Sequence, residues 1–451
     1  MGDIEKSILS LEDAVRLTPD GHTDKPGLLN NLGNSLLTRF EHLGEIANID
    51  KAILSFEDAA HLTPDGHTNK QILLNNLGTS LMIHFERLGE KGDIEKAASR
   101  LEEAVRFTPD GHAYKPHYLT NLGNLLFMRF QHLGDSTDLK QSIFAAFQAA
   151  TQSSGPPSVR FNAAITWSKR AHLFHSASIP SVLEAYSTAF ELLPQVCWLG
   201  LSIAARHHEL IQARTLACDA AATAISANNL WMAIEWLEQG RSVLWGQILH
   251  LRTPLDDLNA SNPGLAAKLT SIAGDLERGS SQAFLEGGDS GVSPEQAVQW
   301  HRQLADKWEA AVEEVRKLPN FECFLLPKQY SELQNAGHNG PVVVVNASRY
   351  RCDALIIAPP QDLQLIHLDK LTYEHADSLR NRLHVELRSQ QKLRDERAGR
   401  PVPPYGSHCD GDHEATFRDI LGQLWELVVK PILGRFETLQ VGNQIGYYAL
   451  C

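Results

Sequence analysis

A unit of 45 residues recurs in register along the first third of this 451-residue chain. The pentapeptide Thr-Pro-Asp-Gly-His occurs at 18–22, 63–67 and 108–112. The triplet Asn-Leu-Gly follows at 31–33, 76–78 and 121–123, and the runs RFEHLG, HFERLG and RFQHLG begin at Arg39, His84 and Arg129. A fixed period of this size constrains the fold more than any other feature. One unit cannot bury its apolar faces alone, so neighbouring units must stack on one another.

Each unit reads as two helices. Leu28, Leu29, Leu32, Leu36, Leu37 and Phe40 recur at three- and four-residue spacing and give the first helix an apolar stripe. Gly44 sits where that helix should stop. Ile49, Ala52, Ile53, Phe56, Ala59 and Ala60 form the stripe of the second helix, and Thr63-Pro64-Asp65-Gly66 breaks it. A divergent fourth pair is expected over 157–194, with Phe161, Ala164, Trp167 and Ala171 on one stripe and Val182, Tyr186, Ala189 and Pro194 on the other. The chain then turns alanine-rich over 197–227 and continues as a long amphipathic helix over 229–252.

Farther along the pattern changes. Residues 253–295 read as loops around one short helix at 264–278, and a further helix covers 295–317. Val342–Asn346, Cys352–Ala358 and Leu363–Leu368 are short apolar runs bounded by Gly, Pro and polar residues, and read as adjacent strands. A helix follows at 372–394, an aperiodic stretch at 395–412, and a last helix at 413–432 that should end at Pro431. The expected class is mainly α: a solenoid of helix pairs, then a partial α/β module of about three strands. The expected segments are 1–195 for the array, 196–330 for a helical extension and 331–451 for the α/β part.

Charge narrows the functions. Lys and Arg number 41 against 54 Asp and Glu, a net −13, which argues against a general nucleic-acid surface. Six scattered cysteines without a CxxC pair suit a reducing compartment. The N-terminus has no signal-peptide core, and no apolar run is long enough to span a membrane, so a cytoplasmic location is expected. Met1-Gly2 with Lys6-Ser7 has a loose myristoylation pattern, but Asp3-Ile4 belongs to the repeat.

The unit resembles the tetratricopeptide repeat, of about 34 residues. Leu32-Gly33, Ala52, Phe56, Ala59 and Pro64 match its pattern, and the extra residues fall between Gly33 and Ala52 and between Pro64 and Gly78. The longer helices are similar to those of kinesin light chains. The resemblance implies a concave groove lined by the first helices. Asn30, Asn34, Asn75 and Asn124 fall on groove positions, as do Thr79 and Thr120, with Met82, Phe127 and Met128 beside them. Amides offer both donor and acceptor to an extended peptide backbone. The bland alternative is that these residues merely sit on an exposed face.

The later segments LEQGRSVLWGQILHLRTPLDDL, FECFLLP, GPVVVVNASRYRCDALII and LWELVVKPIL resemble a CHAT domain, a caspase-like peptidase domain found behind such arrays. The whole chain is similar to fungal proteins described as tetratricopeptide-like or as aromatic di-alanine repeat proteins. The family's histidine and cysteine lie downstream of the helix matching LWELVVKPIL, whereas only ETLQVGNQIGYYALC follows residue 436 here, without a histidine. The resemblance therefore implies a module lacking its catalytic half.

Other candidates carry less. Cys352 and His367 begin and end neighbouring strands, but their spacing does not fit the family's pair, and a buried small hydrophobe is the alternative for Cys352. Cys451 ends the chain outside the family's pattern. His408, Cys409, Asp410, Asp412 and His413 offer metal-ligating atoms in a loop-like run without a second cluster. His22, His67 and His112 recur once per unit, too far apart for one metal at about 16–20 Å, and suit a role in the turn. The expected function is a protein-interaction scaffold that binds a peptide or protein in the groove, with no catalytic residues, no metal, no cofactor, no nucleic acid and no membrane. The rivals are a cysteine peptidase recorded incompletely and a motor-cargo adaptor. A sheet short of strands has an open edge, from which self-association is expected.

Overall fold

The computed structural model describes residues 2–174, 181–196, 215–251, 253–282, 294–359, 361–398, 410–438 and 449–450. They fall into two compact units, Met1–Val196 and Cys197–Cys451.

The first unit is a stack of helix pairs. Its elements are α1 Gly2–Leu17, α2 Lys25–Leu43, α3 Ile46–Leu62, α4 Lys70–Leu88, α5 Lys91–Phe107, α6 Lys115–Leu133, α7 Ser136–Thr151, α8 Pro157–Ala171 and α9 Val182–Val196. The even-numbered helices are the first helices of the units, and each packs against the helix that follows it. Helix α1 has the pattern of a second helix and packs on α2. The expected stops are where the chain makes them. Gly44, Gly89 and Gly134 have φ of 70°, 73° and 76°, and each donates its N–H to the carbonyl of Phe40, Phe85 or Phe130. That left-handed backbone suits glycine, which has no Cβ to clash.

The Thr-Pro-Asp-Gly-His turns are built alike. Thr18, Thr63 and Thr108 donate their hydroxyls to the carbonyls of Ala14, Ala59 and Ala104, four residues back. The Nδ1 atoms of His22, His67 and His112 accept the N–H of the second residue onward. A lysine that opens the next helix completes each turn: Lys70 Nζ donates to Thr63 O and Ala60 O, both at 2.7 Å. A cation there meets the partial negative charge at a helix C-terminus and satisfies its free carbonyls.

Inside each pair, a glycine of the first helix admits a large side chain of the second. A methyl at Gly33 would lie 2.7 Å from the Phe56 ring, and one at Gly78 would lie 2.6 Å from Leu101 Cγ. Phe56 and Leu101 are fully buried in the core shared by the first pairs. In the third pair the corresponding residue is Ala146. Here the atom nearest to Gly123 belongs to the next unit: Arg170 Nη1, 3.1 Å from the position of a Cβ.

In the second unit, β1 Val342–Ala347, β2 Cys352–Ile357 and β3 Gln364–His367 form an antiparallel sheet. β4, Ala449–Leu450, pairs parallel with β1, giving the order β3-β2-β1-β4. β2 is buried throughout, as expected for a central strand. One sheet face packs on Leu424, Val428 and Ile432. The Leu216–Ser226 helix is bonded to the end of β1 and to the turn after it: Asn346 Nδ2 donates to Cys218 O at 3.0 Å, and the Ser348 hydroxyl to Asp219 at 2.7 Å. A separate apolar cluster joins the helices Pro263–Gln282 and Pro294–Arg316.

Two local expectations are corrected. The stretch read as loop before residue 263 contains a short helix, Asp256–Ser261. The last helix does not end at Pro431: Asp410–Leu424 runs through a π-turn, Trp425–Val429, into Lys430–Thr438. Pro431 is the second residue of that final segment, a first-turn position at which proline is tolerated.

Candidate functional site

The first helices are tied side by side through amides. Asn76 Nδ2 donates to Asn30 Oδ1 and Asn121 Nδ2 to Asn75 Oδ1, each at 2.9 Å. Arg170 Nη2 donates to Asn124 Oδ1 at 2.6 Å. All three bonds join residues 46 apart, one more than the repeat. Farther along the same helices, a cation joins each unit to the one before. Arg39 pairs with Glu5, and Arg129 with Asp138 and Glu95. His84 stands between Asp93 at 2.7 Å and Asp50 at 3.0 Å. Both ring nitrogens of His84 thus face carboxylate oxygens.

Of the nine residues expected to line a groove, only Asn34 is exposed. Asn75 is buried, and Asn30 and Asn124 are half-buried and already bonded to the neighbouring helix. Thr120 donates to Pro116 O, while the enclosed Thr79 hydroxyl has no partner. Met82 and Met128 pack on the rim of the core. Phe127 lies under the Arg170 guanidinium, whose carbon is 4.8 Å from the ring centre. The amides thus act first as joints between helices. Each joint uses only part of an amide's capacity, and Asn31, Asn34 and His117 stay exposed on these helices.

Arg170 is the exceptional residue of this face. It is 6% exposed, and burial pushes its pKa down to about 10. Among the described residues no carboxylate pairs with it; its partners are the Asn124 amide and the Phe127 ring. Two other cations of α8 also lack a carboxylate partner: Arg160, which donates to Ala150 O, and the exposed Lys169. Helix α8 contains no acidic residue, nor does α6, whereas α3 carries Asp50, Glu57 and Asp58.

A different cleft, of about 410 Å³, opens between the second helices α5 and α7 over α6. Its walls include Leu119, Leu122, Leu126 and Phe144, with Glu102 and Lys140 among its polar residues.

In the second unit, Cys352 and His367 do not meet. His367 is the register partner of Asp353, and their side chains bond at 2.7 Å on one face of the sheet. Cys352, one residue earlier, is buried in the core on the other face, where burial raises its thiol pKa. Arg351 forks onto Asp353 at 2.6 and 2.9 Å. Cys451 and residues 407–409 lie outside the described residues. Among the described residues, no three His, Cys, Asp or Glu side chains converge as a metal site would require. No described helix is long and apolar enough to cross a membrane.

No known family matches the chain, and no curated protein matches it either.

Sequence reasoning missed Arg170, Lys169 and the second member of each asparagine joint. A signal for the joints was present in the doublets Asn30-Asn31 and Asn75-Asn76, repeated at 45 residues. A signal for Arg170 was the substitution series Ser35, Ser80, Leu125, Arg170 at one repeat position.

Proposed function

We propose that the array binds an extended peptide segment of a partner protein along the face of its first helices, and that the chain works as a non-catalytic scaffold. The observation that carries this is the amide row. The joints hold α2, α4, α6 and α8 at fixed spacing, and spare amide donors and acceptors on one face can pair with a peptide backbone. The likeness of the unit to tetratricopeptide repeats, and of the later segments to a CHAT domain, supports the reading. The opposed faces of Cys352 and His367 speak against catalysis by that pair. A cytoplasmic setting agrees with free thiols at Cys323 and Cys352.

The test is panning of a random decapeptide library on the full chain, followed by titration of the enriched peptides. Asn34→Tyr and His117→Tyr add bulk at exposed positions. Together they should weaken the peptides about tenfold or more, the scale of losing a few well-made contacts. Unchanged affinity in that double variant would overturn the reading, as would thiol-dependent cleavage of peptides by the wild-type chain.

A second reading concerns the sheet. β4 covers part of the outer edge of β1, and β3 is outermost on the other side. We propose self-association through β3, read by light scattering against concentration; a monomer at every concentration would contradict it.

A further inference from the structure

We propose that the α8 end of this face selects acidic peptides, with Arg170 holding the carboxylate of an Asp or Glu side chain; this rests on the peptide reading above. Burying an uncompensated charge is costly, and folded proteins almost always pair such a charge. Of the other lysines and arginines on these helices that are not exposed, all but Arg160 follow that rule. Lys25, Lys70 and Lys115 pair with Asp20, Asp65 and Asp110, and Arg39 and Arg129 pair with acids of the second helices. Arg170 departs from it although it is the most deeply placed.

Its geometry leaves room for an anion. A guanidinium has five N–H donors in one plane. One is used by Asn124 Oδ1, and the Phe127 ring covers a face of the plane rather than its edge. The unpartnered polar atoms that are fully enclosed among the described residues are Thr79 Oγ1, Ser142 Oγ and Asn346 Oδ1. The spare nitrogens of Arg170 are not among them. Asn124 belongs to the amide-bearing face, which places the guanidinium edge beside the path of a bound peptide. Lys169 is exposed and without an acidic partner at the repeat position of Asn34, Thr79 and Asn124.

Charge complementarity points to the occupant. The chain is acidic at −13, yet α6 and α8 carry no acidic residue and α8 carries three cations without a carboxylate. A planar fork suits a carboxylate, which accepts two parallel bonds from it. An acidic side chain from an extended peptide supplies that group while its backbone uses the amides of the preceding helices.

The experiment is the same decapeptide panning on the full chain, run in parallel on wild type, Arg170→Gln and Lys169→Gln. On wild type, Asp or Glu should be enriched about tenfold over Asn or Gln at one position, the scale of a charge-assisted bond. On Arg170→Gln that preference should vanish while apolar preferences persist; on Lys169→Gln it should weaken. Should Arg170→Gln lose its helical circular dichroism, Arg170→Met, apolar and of similar length, takes its place. Enrichment without acidic preference, or a preference that survives both Arg170 substitutions, overturns the inference and leaves the groove reading standing. No enrichment over the input library overturns both.

Discussion

The second helix pair with its junction to the third, and the third pair with its junction to the fourth, use different chemistry at the same places. At the first, Leu101 fills the space against Gly78, and Asn121 bonds Asn75. At the second, Ala146 stands at the position of Leu101, the neighbours of Gly123 are Arg170 Nη1, Ala145 Cβ and Ser142 O, and Arg170 replaces asparagine as the donor to Asn124. An apolar filler and a neutral amide give way to one charged side chain. The stack accommodates the exchange, with the end of the guanidinium beside Gly123 and its plane over Phe127. The energetics differ, since one junction is stabilised by burial and the other contains a charge with no counter-ion.

The largest effect should separate packing from polar joining. Phe56→Ala removes a fully buried ring facing Gly33 and should cost about 3–5 kcal/mol, measured by urea denaturation followed through the array's helical signal. A loss under about 1 kcal/mol would mean that the glycine-facing residues do not hold the pairs together.

The next contrast compares the two glycines directly. Gly78→Ala drives a methyl into Leu101 and should cost about 1–3 kcal/mol through overpacking. Gly123→Ala meets first the end of a flexible arginine, at 3.1 Å, and should cost less. Equal losses would erase the difference between the junctions.

Arg170→Met should act in the opposite direction. Without ligand, removing an uncompensated buried charge while keeping its length should stabilise the array, by about 1 kcal/mol. A clear loss of stability would show that the Asn124 bond and the Phe127 contact outweigh the desolvation.

The smallest effect is a pH dependence. Partial desolvation of the His117 ring, though the residue is exposed, lowers its pKa, so the folded state resists its protonation. Above the unfolded pKa of about 6.5 the ring is neutral in both states and contributes nothing. As pH falls below that value the unfolded chain takes up the proton first, and stability is lost until the folded state titrates too. His117→Gln should therefore lose less stability than wild type between pH 7.5 and pH 5.5, pH values chosen to bracket about 6.5. An identical loss in both proteins would contradict the shift.

Much of the array was legible because the repeat printed the same solution several times. Leu29, Leu32, Leu36 and Phe40 mark a helix face, Gly44 its end and Thr63-Pro64 the next break, all from local spacing. The joints were not legible. Asn30 meets Asn76 only because neighbouring helices are offset by one residue from the repeat, and that offset is set by packing. Arg170 reads on its own as a surface cation at the end of a helix; its burial beside Gly123 and Phe127 across the junction is a product of packing. In the second unit, the strands were legible as short apolar runs, but the pairing of Asp353 with His367 needed the strand register. Pro431 misled because the proline rule assumes a regular α-helix before it, and the chain makes a π-turn there instead.

The central claim is that a partner peptide lies along the first helices and not in the cleft between α5 and α7. The direct test is photo-crosslinking of an enriched peptide carrying one benzophenone, with the labelled residues found by mass spectrometry. The account predicts labels on α4, α6 and α8 around Asn121, Asn124 and Lys169. Labels confined to Lys140, Phe144 and Gln148 would contradict it.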